Sequence, residues 1–112
     1  MWRLPRLVPL WAVAVVAATA GAVFADDTTL TLMVEEKGFA PAEIEAPAGP
    51  RIRLEVTNGT SAAMEFESFE LNRERVIQPG QTVAVYLSGL SAGKYEFFDD
   101  FHHSRRGVLV VK

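Results

Sequence analysis

An all-β sandwich is the fold class this sequence predicts, on three observations. After Ala25, short apolar alternations are cut by turn residues every 8 to 12 positions. No part of that region keeps a 3.6-residue apolar period over ten residues, so no amphipathic helix is expected. Linkers, low-complexity tracts and internal repeats are lacking, and a chain of 112 residues is the size of one ordinary domain.

The elements follow in order. Thr28 to Val34 alternates with period two and sets Leu30, Leu32 and Val34 on one face. Glu36-Lys37-Gly38 is a turn, and Phe39-Ala40-Pro41 leads into Glu43-Ile44-Glu45, with both glutamates facing solvent. Pro47-Ala48-Gly49-Pro50 turns the chain again. Arg51 to Thr57 is the cleanest strand, charges outward and Ile52, Leu54 and Val56 inward. Asn58-Gly59 breaks it, and Met64 to Phe69 alternates anew, Met64 and Phe66 on one face, Glu65 and Glu67 on the other. Arg75-Val76-Ile77 is a short strand, followed by a tight turn at Gln78-Pro79-Gly80-Gln81. Val83 to Leu87 is apolar throughout, which predicts a central strand. Ser88 to Gly93 is a loop, Tyr95 to Phe98 a strand, and Gly107 to Lys112 the last strand.

The first 25 residues do not belong to this pattern. Arg3 and Arg6 precede an apolar run from Leu7 to Phe24, broken only by Pro9, Thr19 and Gly21, which closes on Val23-Phe24-Ala25. A basic start, an apolar middle and a small-residue exit predict a secretory signal peptide over residues 1–25, and a mature domain over 26–112 with no stable membrane insertion. An uncleaved anchor is the competing reading of the same run.

Without those residues, nine Lys and Arg face fourteen Asp and Glu, a formal charge of −5. An acidic domain argues against nucleic acid and anionic membrane as partners, since both need a basic face. Cations and basic proteins stay open. The absence of cysteine excludes thiolate metal sites, thiol redox chemistry and cysteine nucleophiles, and leaves the core alone to hold the domain together.

The one stretch whose chemistry exceeds that of a turn is Asp99-Asp100-Phe101-His102-His103-Ser104-Arg105-Arg106, which carries both histidines of the protein. Imidazole nitrogen and carboxylate oxygen are ligands for Cu(II), Zn(II), Fe and Mn. Neighbours in extended chain point oppositely, so Asp99 and Asp100 share an ion only if the backbone turns, whereas Asp99 and His102 can meet across the loop. The structural alternative is a surface pairing of the two aspartates with Arg105 and Arg106, worth at most about 1 kcal/mol. Met64 with Glu65 and Glu67 forms a second polar group; its structural reading is a gap-filling core methionine and a solvated strand face.

The motifs Phe39-x-Pro41-x-x-Ile44, Pro79-Gly80 and Gly93-x-Tyr95-x-Phe97-Phe98-Asp99-Asp100-Phe101-His102, in an exported all-β chain, resemble the cupredoxins. The nearest likeness is to the small periplasmic cupredoxin-like proteins of bacterial ferrous-iron uptake systems, similar to the cupredoxin domain of the iron-uptake protein EfeO. It covers residues 28–112 and is most specific over Tyr95 to His102. The resemblance implies a Greek-key sandwich, a periplasmic location, and a periplasmic metal-binding protein and an iron permease as partners. Laid on this chain, the blue-copper ligands fall at Met64, Asp99 and His102 and near Arg105, so one of four is retained and the thiolate is missing. What it implies is therefore a mononuclear copper or iron site that is not type 1 blue copper. Its ligands are expected from Met64, Asp99 and His102, with Glu65, Glu67, Asp100 and His103 within reach. Carboxylates favour Fe(III) over Fe(II), so such a site would promote oxidation of Fe(II) for a permease. Copper binding or delivery without catalysis, and a metal-free interaction module, are the alternatives.

Overall fold

Nine strands make up the regular structure of residues 27–112, the part of the chain that the computed structural model describes. They are β1 (Thr28–Glu35), β2 (Gly38–Ala40), β3 (Glu43–Ala46), β4 (Ile52–Asn58), β5 (Met64–Ser68), β6 (Arg73–Ile77), β7 (Thr82–Leu87), β8 (Gly93–Asp99) and β9 (Arg106–Val111). The signal segment expected over 1–25 lies outside the described residues. Among those residues no helix is long and apolar enough to cross a membrane.

The strands form two sheets, in the orders β2-β1-β4-β7 and β3-β9-β8-β5-β6, and the chain passes repeatedly from one to the other. Alternation dictates which side chains lie between them. Ile52, Leu54 and Val56 of β4 are buried as expected, and Leu32 and Val34 of β1 with them. Leu30, nearer the end of β1, is half-buried. Phe39, Phe66 and Phe97 meet at the centre, with ring centroids 4.9 to 6.5 Å apart. Gly107 is required there: a Cβ at this position would lie 2.5 Å from the Phe97 ring and 2.9 Å from the Ala42 carbonyl.

Two local expectations are corrected. The apolar strand β7 is an edge, not a centre. Its inner residues Val83, Val85 and Leu87 are buried, while Tyr86 faces out beneath the guanidinium groups of Arg51 and Arg53. Side chains from β6 cover its free edge: Arg73 donates to the Tyr86 carbonyl at 3.0 Å and Arg75 to the Ala84 carbonyl at 3.4 Å. Covering by arginine stems lets an apolar strand sit at an edge. The second correction is Asn58, which is more than a turn residue. Fully buried, it donates to the carbonyls of Ala62 and Ile77 and accepts from the Thr60 amide and hydroxyl. It thus fixes the loop that delivers the chain into β5, the strand that carries Glu65 and Glu67.

Candidate metal centre

The pleat of β5 sends Met64 and Phe66 into the core and Glu65 and Glu67 to the outer face of the five-stranded sheet. Strand β6 lies antiparallel to it, placing Glu74 directly across from Glu67 and Val76 across from Glu65. On the other side the chain leaves β8 at Asp99, and the Asp100 amide donates to the Glu65 carbonyl at 2.8 Å. One carboxylate oxygen each from Glu65, Glu67 and Asp100 lies within 4.8 Å of the others. His103 closes the group, its Nε2 3.0 Å from Asp100 Oδ1.

Electrostatics sets this cluster apart from ordinary surface charge. Glu65 is only 8% exposed. Burial, followed by contact with the carboxyls of Glu74 and Asp100, pushes its pKa up to about 7. Glu67 is raised as well, by desolvation first and then by the charges of Asp100 and Glu74, with His103 acting in the opposite sense. Among the described residues no lysine or arginine forms an ion pair with Glu65, Glu67 or Glu74. The face is short of positive charge. An aromatic border adjoins it, where the Phe98 ring packs against Phe69, itself 76% exposed, and against His103, with the Arg106 guanidinium over it at 5.2 Å.

Asp99 is placed quite differently. It is fully buried, and its Oδ1 accepts the amides of Glu65 at 3.0 Å and Phe101 at 2.9 Å. Its Oδ2 accepts from Arg105 Nη1 at 3.0 Å. The rest of the Arg105 guanidinium reaches Glu36, Nη2 to the carboxylate at 3.0 Å and Nε to the carbonyl at 3.2 Å. Aspartate and arginine do pair across the loop, then, but in the interior rather than at the surface. Arg106, the next residue, is exposed.

Of the residues expected at a metal, the structure brings together Glu65, Glu67, Asp100 and His103. Met64 is enclosed in the core, Asp99 is engaged by Arg105, and His102 stands on the exposed turn. Pleating separates Met64 from the glutamates beside it, and the same alternation sends Asp99 in and Asp100 out. Glu74 was missed because the strand read from Arg75 begins at Arg73. Its signal was the hairpin register, in which Glu67 and Glu74 stand symmetrically about the turn. A blue-copper centre does not fit these residues, for want of a thiolate and because an internal guanidinium holds Asp99. An oxygen-coordinated cation on the outer face does fit, since Glu65 is buried there with other carboxyls as its side-chain polar contacts.

Comparison with known proteins gives four likenesses of differing depth. The family model for the cupredoxin-like domain matches residues 7–111. An uncharacterized protein of Rickettsia prowazekii (strain Madrid E) is 35% identical over 81 residues, 71% of this chain and 65% of its own length. The chain thus matches a little under two thirds of that relative. Among solved structures, the metal-binding domain of the Streptococcus pneumoniae D39 Cu(I)-exporting P-type ATPase CopA, with Cu(I), superposes with a TM-score of 0.70 at 17% identity, over 81% of this chain and 92% of that one. Auracyanin A, a blue copper protein from Chloroflexus aurantiacus, gives 0.66 at 16% identity, over 78% of this chain and all of its own.

Proposed function

The chain belongs to the cupredoxin-like domain family, and on that premise we propose a metal-binding protein whose outer-face carboxylates hold an oxygen-preferring cation, Fe(III) or Cu(II). The observation that carries this reading is Glu65, a buried carboxyl whose side chain meets Glu74 and Asp100 and which, among the described residues, forms no ion pair with a basic residue. Carboxyls in such contact must share protons or a cation. Glu65, Glu67, Glu74 and Asp100 supply hard oxygen donors and His103 one imidazole, a set suited to Fe(III) and to Cu(II) in a nitrogen and oxygen environment.

In its finer form the reading is periplasmic iron uptake alongside a metal-binding protein and an iron permease, as the likeness over Tyr95 to His102 implies. Tighter binding of Fe(III) than of Fe(II) lowers the potential of the couple and favours oxidation. One electron then leaves Fe(II) for an outside acceptor, dioxygen or a redox partner. The copper reading draws support from the likeness to a Cu(I)-bound domain. A carboxylate set favours Cu(II) over the softer Cu(I), and Cu(II) bound here is expected to absorb weakly, without the intense band of thiolate ligation.

Calorimetric titration with Fe(III) citrate and with Cu(II), on wild type and on Glu65→Gln/Glu67→Gln, tests the site. Binding that weakens at least about tenfold in the variant is expected. Wild type that takes up neither metal would leave the metal-free interaction module. Aerobic consumption of Fe(II) with catalytic amounts of protein then separates iron oxidation from metal holding.

A further inference from the structure

Asp99 and Arg105 are the buried charges that the metal reading leaves without a task, and their hydrogen bonds lead straight to the cluster. Asp99 Oδ1 holds the Glu65 amide at 3.0 Å, while the amide of the next residue, Asp100, holds the Glu65 carbonyl at 2.8 Å. The backbone is therefore clasped on both sides of Glu65 by the segment that carries Asp100. The clasp is itself anchored: Arg105 joins Asp99 Oδ2 to Glu36, in the turn between β1 and β2 of the opposite sheet. Two like-charged carboxylates that must converge on one ion repel each other, and exposed side chains on an untethered turn would spread apart.

We propose that Asp99 and Arg105 are positioning residues, which hold Glu65 and Asp100 at cation-binding separation through the backbone and do not touch the ion. This rests on the outer-face cluster being the metal site. Groups that orient ligands from behind commonly contribute about 10- to 100-fold to metal affinity. Ligation by Asp99 would instead require its carboxylate to leave two amides and the buried guanidinium of Arg105.

The test uses the purified protein with Cu(II) as probe, read by calorimetry and by electron paramagnetic resonance. Asp99→Asn keeps an oxygen for the two amides and removes the charge that holds Arg105. Arg105→Lys keeps the charge and removes the fork that spans Asp99 and Glu36. Glu67→Gln serves as the ligand control, and circular dichroism with urea melts fixes the folded fraction of each. For both clasp variants the affinity of the folded protein is expected to fall about 10- to 100-fold. Their bound Cu(II) spectrum is expected to match wild type, because the ligands are the same, whereas Glu67→Gln alters it. If Asp99→Asn does not fold, Arg105→Lys decides by the same two readouts. Wild-type affinity in the clasp variants overturns the proposal and leaves Asp99 and Arg105 to stability alone. A changed spectrum in Asp99→Asn overturns it by making Asp99 a ligand. Wild type without Cu(II) binding, but with the melts intact, overturns the site reading and this inference with it.

Discussion

Asp99 and Asp100 are bonded neighbours with the same side chain, and they live in opposite surroundings. Asp99 is buried in the interior, its two carboxylate oxygens accepting from two amides and from the guanidinium of Arg105. Asp100 lies on the outer face among Glu65 and Glu67, where His103 Nε2 stands 3.0 Å from its Oδ1. The difference is one of charge compensation. Burial of a charge is costly unless a partner accompanies it. The chain supplies that partner inside, whereas outside, among the described residues, no lysine or arginine forms an ion pair with Glu65, Glu67 or Asp100.

Removing the inner partner has the largest expected effect. Arg105→Ala leaves Asp99 buried without its counter-charge and should destabilise the protein by about 3–5 kcal/mol in urea melts. A loss below about 1 kcal/mol, the range of an exposed pair, would erase the contrast between the two aspartates. Next in size is the pH dependence of metal binding. With Glu65 titrating at about 7, a cation must displace its proton at lower pH, and affinity should fall by up to about tenfold per pH unit below that value. Calorimetry from pH 5 to 8 measures it, and a flat profile would mean that Glu65 takes no part.

The metal-free protein gives a subtler signal of the same group. The folded pKa of Glu65 is raised above the unfolded carboxyl value of 4.5, so between 4.5 and about 7 the native state binds more protons than the unfolded one. Stability contributed by protonated Glu65 is therefore present below this window and is lost as pH rises through it. Urea midpoints should decline over that range, and decline less in Glu65→Gln. The smallest effect separates the two histidines. His102→Ala should change stability by less than about 0.5 kcal/mol and leave metal affinity alone, whereas His103→Ala should weaken binding. The reverse result would move the site toward the tip of the turn.

Much of the architecture was legible because a strand exposed to solvent on one side writes its period into the sequence. Ile52, Leu54 and Val56, and the opposition of Met64 and Phe66 to Glu65 and Glu67, needed only the pleat. Pairing was not legible, since β1 lies parallel to β4 and β3 parallel to β9, contacts made across long stretches of chain. Nor was burial of charge. Arg105 and Arg106 look alike in sequence, yet one is clamped between Asp99 and Glu36 and the other lies over Phe98. Composition and spacing singled out the loop from Asp99 to Arg106, while its inner and outer members could be told apart only once the opposite sheet was in place.

The arginines of β6 bear on how this molecule meets copies of itself. A bare sheet edge offers a row of carbonyls to any passing strand and so invites fibres and tangled aggregates. On β7 the carbonyls of Ala84 and Tyr86 are already taken by Arg75 and Arg73. A second chain that approached there would have to dislodge two positively charged side chains before forming a ladder. A domain without a disulfide to lock it shut thus carries its own guard against sheet growth along that flank.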